Sequence, residues 1–173
     1  MKLIKLIIST VITVSLLATS LVNADSRKQS GFKNESETEY RMRKFACNQM
    51  RASDGDLLVY GFDEQFGVEL VEHVKTIKCG ADADKGLFKY GVAYNSVGAM
   101  QDLIDYLEDV GGKKLVAEVI NMKTDKNQNT LDFVKYKLER AMSRKEVLEI
   151  EVEGFKKLHK LLSKNGAKLS SEM

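Results

Sequence analysis

Apolar side chains recur along this chain at spacings of three and four, the period of a helix with one buried face. Met42, Phe45, Ala46 and Met50 make the first such stripe, with Ser36 or Thr38 placed to cap it. Val68, Val71 and Val74, with Leu70 and Ile77, predict a second helix. Met100, Leu103, Ile104 and Leu107 follow the i, i+3, i+4, i+7 pattern in full. Leu115, Val116, Val119 and Ile120 give a short helix within Lys113 to Met122. Leu131, Val134, Leu138, Ala141 and Met142 begin a longer one, and Phe155, Leu158, Leu161 and Leu162 close the series. No segment alternates apolar and polar residues over a useful length. The chain has no proline, so glycines and polar clusters do the punctuation. The predicted fold class is all-α. Ser53-Asp54-Gly55-Asp56 reads as a turn that caps the following helix, because the later ligands of a calcium loop are missing.

Three of these stripes end alike. Leu70 to Ile77 leads to Cys79-Gly80-Ala81-Asp82-Ala83-Asp84, Leu103 to Leu107 to Val110-Gly111-Gly112, and Leu158 to Leu162 to Lys164-Asn165-Gly166-Ala167. Each is read as an amphipathic helix closed by a left-handed glycine. Recurring helix-plus-glycine units signal a solenoid, and here the sequence resembles the ankyrin repeat family. Gly80-Ala81-Asp82-Ala83-Asp84 and Leu161 to Ala167 are similar to that family's repeat exit. Asp125 to Asp132 looks like its finger and the start of a first helix, and Ala93 and Gly98 fit its small residues. The departures are Leu131 where the family has proline, Asp132 where it has histidine, and a long insertion in the second half. That insertion is placed at Lys113 to Met122 and Ala141 to Glu153. The resemblance implies about three repeats over residues 55–170, behind an N-terminal capping helix at 40–52.

The N-terminus carries its own pattern. Lys2 and Lys5 precede an apolar run from Leu6 to Leu17, and Val22-Asn23-Ala24 offers small residues to a signal peptidase. This predicts a secretory signal at 1–24, a flexible polar leader at 25–39, and a repeat domain at 40–173 in the periplasm or secreted. The run is short for a bilayer span, which needs about 20 apolar residues, so no membrane insertion is expected after cleavage. Removing Lys2 and Lys5 leaves 25 basic against 25 acidic residues. The net charge therefore gives no reason to expect nucleic acid as a partner. In an exported chain the two cysteines, Cys47 and Cys79, favour a disulfide over two free thiols.

No nucleophile, phosphate or dinucleotide motif is present. His73 and His159 lack a second ligand at i+3 or i+4, so neither begins a zinc motif. The reading is of a non-enzyme that needs no cofactor and no metal. Recognition of another protein remains. The ankyrin resemblance implies contacts through the fingers, at Lys85, Phe88 and Lys89, then Lys126, Asn127 and Gln128. It also implies contacts through the inner helices, at Tyr90, Tyr94, Asn95, Phe133, Lys135 and Tyr136. Residue by residue, a place in the core or on the covering of the stack competes with each of these roles. Compartment and elimination point to an immunity protein that blocks a secreted toxin or hydrolase. The alternative is an envelope or secreted scaffold that binds without inhibiting.

Overall fold

The computed structural model describes residues 32, 34–81, 83–123 and 128–172. The expected signal at 1–24 lies outside them, as do Lys126 and Asn127 of the expected second finger. Contacts divide the chain into two units. The first is residues 1–35 with 81–83, and of it Phe32, Asn34, Glu35, Ala81 and Ala83 are described. There the Glu35 amide donates to the Phe32 carbonyl at 3.2 Å. The second is residues 36–80 with 84–173 and holds every helix described below.

Helix α1 runs Glu37–Ala52. Ser36 and Glu39 start it with reciprocal hydrogen bonds, 3.2 Å from the Glu39 amide to Ser36 Oγ and 2.8 Å from the Ser36 amide to Glu39 Oε2. Two orphan amides of the first turn are thereby satisfied. The helix begins three residues earlier than the expected capping helix at 40–52. Ser53 ends α1 in the left-handed region, and Asp54 Oδ1 accepts from the Leu57 amide at 3.0 Å to open helix α2, Gly55–Phe66. Phe45 meets Phe62 and Phe66 edge-on at 6.2 and 5.7 Å, which joins the two helices as a pair.

The stripe from Val68 to Ile77 does not make the expected helix. Only Leu70–His73 is helical, as the single turn α3. The Thr76 and Ile77 amides both return to the His73 carbonyl, and the chain then extends into β1, Lys78–Cys79. β1 pairs antiparallel with β2, Lys85–Gly86, with Lys78 opposite Gly86 and Cys79 opposite Lys85. β-branched Val74, Thr76 and Ile77 favour extension over a last helical turn. Gly80, φ 90°, therefore sits in a hairpin and not at a helix exit. Cys79 is bonded to Cys47 with the Cα atoms 5.8 Å apart, which ties the hairpin to α1. Closing a loop of this length stabilises by about 3–4 kcal/mol in the chain-entropy account.

Helix α4, Leu87–Tyr94, ends at Asn95 in the left-handed region, and helix α5 follows at Val97–Ile120. The break in α5 falls at Gly112, φ 69° and ψ −179°, one residue beyond the expected cap at Gly111. The extra helix foreseen near Lys113 to Met122 is the segment of α5 after this kink. Helix α6, Thr130–Met142, opens on Asn129, whose Oδ1 accepts from the Asp132 amide at 2.9 Å. Helix α7, Glu149–Lys164, ends as foreseen. Gly166 has φ 83°, the Ala167 amide reaches the Leu162 carbonyl at 3.0 Å, and the Gly166 amide reaches that of Ser163 at 3.3 Å. This is a Schellman closure. A short 3-10 turn, Ser170–Glu172, follows.

The fold class is all-α. Apart from the single turn α3, the helices pack as three consecutive pairs, α1 with α2, α4 with α5, and α6 with α7. The first members pack in sequence, α1 on α4 and α4 on α6. The second members do likewise, α2 on α5 and α5 on α7. The core lies between these layers, with Met50, Leu58, Phe62, Met100, Leu103, Leu107, Phe155 and Leu158 fully buried. Each such side chain stabilises by about 1.5–3 kcal/mol. Gly91 lets the layers meet, since a Cβ there would lie 2.7 Å from both Met100 and the Met50 sulfur.

Candidate protein-binding face

The outward side of the first layer is built by short-range helical spacing. On α4, Tyr90 and Tyr94 are four residues apart, so their rings share a face and meet at 4.8 Å between centroids. Tyr94 is 49 % exposed. Burial pushes the Tyr90 hydroxyl up to about 12, aided by its hydrogen bond to Tyr94 and opposed by the charge of Arg51 on α1. Tyr90 is thus neutral at any physiological pH, and the two rings, tilted 56° to each other, lie beside the Arg51 guanidinium.

On α6, Phe133 and Tyr136 stack at 6.4 Å with 25° between the rings. Arg140, one turn on, reaches the Tyr136 hydroxyl at 3.4 Å, and Tyr136 is 47 % exposed. Lys89 bridges from α4, with its ammonium 5.1 Å from the Phe133 ring centroid. On α1, Arg43 and Lys44 lie 5.3 and 5.6 Å from the Tyr40 ring. Each of these rings, or the hydroxyl it carries, has a cation beside it, an arrangement that holds both groups in place at modest entropic cost.

At the α4–α5 turn an open groove of about 760 Å³ is lined by Asn95, Val97, Val147, Ile150, Val152 and Gly154. The loop from Ser143 to Leu148, part of the foreseen insertion at Ala141 to Glu153, leaves Val147, Leu148 and Ile150 exposed. A Cβ on Gly154 would lie 2.2 Å from the Asn95 amide group, so glycine is what allows α7 to approach the α4–α5 turn. Asn95 donates to the Glu151 carbonyl at 3.3 Å from that position. An ion pair between Arg144 and Glu151, at 2.5 Å, holds the loop to α7.

The expected contact residues divide between surface and core. Tyr94 and Tyr136 are exposed and Tyr90 and Asn95 are half-buried, all on or beside this face. Phe88 and Lys89 are corrected to the interior, at 3 and 4 % exposure. They occupy the first turn of α4, which the hairpin and α6 cover. Lys85 is half-buried and paired with Asp84, and Gln128 is half-buried before α6. Phe133 turns toward Lys89, while Lys135 projects from α6 into a different groove, with Met142 and His159. Arg51 and Arg140 were missed. Their signal was available in the 3- and 4-residue spacing to neighbouring exposed positions on each helix.

Among the described residues no cluster of three or more histidine, cysteine, aspartate and glutamate side chains is placed to hold a metal ion. None of the described helices is long and apolar enough to cross a membrane. A bonded cysteine pair fits an oxidising compartment. No family model, curated protein or solved structure matches this chain.

Proposed function

We propose that the mature chain is an exported protein-binding module whose partner is a toxic enzyme, which it blocks as an immunity protein of the periplasm. The observation that carries this reading is the exposed face of Tyr90, Tyr94, Tyr136, Arg51 and Arg140 on well-packed helices. Tyrosine and arginine supply large contact area with few rotors to freeze, and they dominate the energetics of many interfaces. Helical footing makes such a surface preorganised, which lowers the cost of binding. The export signal read from the sequence supplies the compartment, and blocking by occlusion requires no chemistry from the binder.

The same reading takes the three helix pairs as a divergent ankyrin-like stack. In support, first helices pack on first helices and second on second, the β1–β2 hairpin precedes the second pair where a finger belongs, and Gly166 closes the third. Repeat stacks of this kind bind through the side of their first helices.

The test mixes the mature protein, residues 25–173 with the disulfide intact, with hydrolases secreted by the source cells. Stoichiometric complex formation with loss of one enzyme's activity is the expected result. Recovery of no inhibited enzyme would remove the immunity reading. A scaffold role is favoured by one observation, the second exposed apolar patch at Val147, Leu148 and Ile150. Two patches allow two partners at once, and this reading predicts ternary complexes without inhibition.

A further inference from the structure

Charge is unevenly spread over the helices in a way the total does not show: α2 and the first part of α5 are acidic, whereas α7 of the same layer carries Lys156, Lys157, Lys160 and Lys164. Residues 54–66 carry Asp54, Asp56, Asp63 and Glu64 and no lysine or arginine. Residues 96–112 of the adjoining helix carry Asp102, Asp105, Glu108 and Asp109 and again no base. The first layer is net positive, with Arg41, Arg43, Lys44 and Arg51 against Glu37 and Glu39 on α1, Lys89 on α4, and Lys135, Lys137 and Arg140 against Asp132 and Glu139 on α6.

Local bonding accentuates the contrast. Glu39 is engaged by the Ser36 cap, and Asp132 accepts from the Ser170 amide at 3.2 Å and from the Ser170 hydroxyl. Lys44, Arg51 and Arg140 make no ion pair among the described residues. Like-signed cations left unneutralised beside aromatic rings generate a positive potential over that face.

Resting on the protein-binding reading, we propose that the α1–α4–α6 face docks an acidic segment of a partner protein. The partner's carboxylates would meet Lys44, Arg51 and Arg140, and its side chains would lie across Tyr90, Tyr94 and Tyr136. Arginine offers a carboxylate a bidentate fork, and the tyrosine hydroxyls donate to it. The acidic α2 and first part of α5 suit this choice over a nucleic acid. A long polyanion extending past the face would meet Asp54 to Glu64 and Asp102 to Asp109, whereas a short acidic segment would not. Opposed potentials also orient the encounter, so the partner arrives on the correct layer.

The experiment titrates the isotope-labelled mature protein, disulfide intact, with a short poly-L-glutamate peptide and separately with oligothymidylate of equal length. Resonances of Tyr90, Tyr94, Tyr136 and their neighbours should shift with the peptide, and the shifts should shrink as salt is raised. Arg51→Glu with Arg140→Glu should weaken peptide binding by about tenfold or more with the fold intact by circular dichroism. Asp56→Lys with Asp105→Lys should not weaken it. No shifts, or shifts on α2 and α5, would overturn the proposal. So would tighter binding of oligothymidylate to the same residues, which would make the partner a nucleic acid. Shifts reproduced by raising protein concentration alone would make it a second copy, and overturn the proposal equally. A captured enzyme still inhibited by the arginine variant would overturn the acidic-segment proposal and leave the immunity reading standing. Peptide binding on the face with no inhibited enzyme would do the reverse.

Discussion

The two helical layers bury the same kind of side chain and expose opposite chemistry. In the first, α1, α4 and α6 show tyrosines with a cation beside them. In the second, α2 and the first half of α5 show carboxylates, several of them crowded. Asp102 lies against the first turn of α2, where a Cβ on Gly55 would sit 1.9 Å from its carboxylate. Burial raises its pKa, and Asp56, Asp105 and Asp54 add to the effect in that order. A face that tolerates such repulsion is arranged for solubility, since like charges on a surface keep molecules apart. On the first layer Lys44, Arg51 and Arg140 make no ion pair among the described residues. The difference teaches that function here is read from where charge sits, because the chain as a whole is nearly neutral.

The comparison is broken most severely by removing the covalent tie that only the first layer has. Cys47→Ser with Cys79→Ser should cost about 3 kcal/mol in urea unfolding. Hydrogen exchange should then show α1 and the β1–β2 hairpin losing protection before α2 and α5 do. Next comes the contact between layers. Gly91→Val places a branched side chain against Met50 and Met100 and should cost about 1–3 kcal/mol, seen as a lower thermal midpoint.

The smallest effect sharpens the contrast from the acidic side. Asp102 has a raised folded pKa, so the native state holds its proton more readily than the unfolded chain does. Its contribution to stability is therefore present below the ordinary aspartate range, near pKa 3.9, and is lost as pH rises through the raised folded value. Asp102→Asn should accordingly stabilise the protein at pH 7, by roughly 0.5 kcal/mol after solvent screening. The advantage should vanish in unfolding curves measured below about pH 4.

Much of the helical layout was legible because long stripes declare their period. Met100 to Leu107 and Leu131 to Met142 formed where the spacing placed them, and Gly166 closed α7 as expected. Leu58, Phe62 and Phe66 are equally periodic, and the turn at Ser53 to Asp56 caps the helix that carries them, with Asp54 accepting from the Leu57 amide. The stripe from Val68 to Ile77 misled for a physical reason. Its β-branched end is extended and bonded to α1 through Cys79, a long-range constraint that periodicity cannot register. The contact residues were half legible. Tyrosines at i and i+4 on a short helix do come to one surface, but a lysine such as Lys89 looks solvent-bound in sequence and is buried against Phe133 in the fold. The acidity of α2 and the first part of α5 is separated in sequence by residues 67–95, and only packing brings the two segments together.

The most direct test of the binding face is a paired capture from the exported fraction of the source cells. One bait carries Arg51→Glu, Tyr94→Ala and Arg140→Glu. The other carries Asp56→Lys and Asp105→Lys. Both are compared with the unaltered mature protein. The account predicts that the partner held by the unaltered protein is lost from the first bait and kept by the second. Equal recovery on both baits, or loss from the second alone, would contradict it.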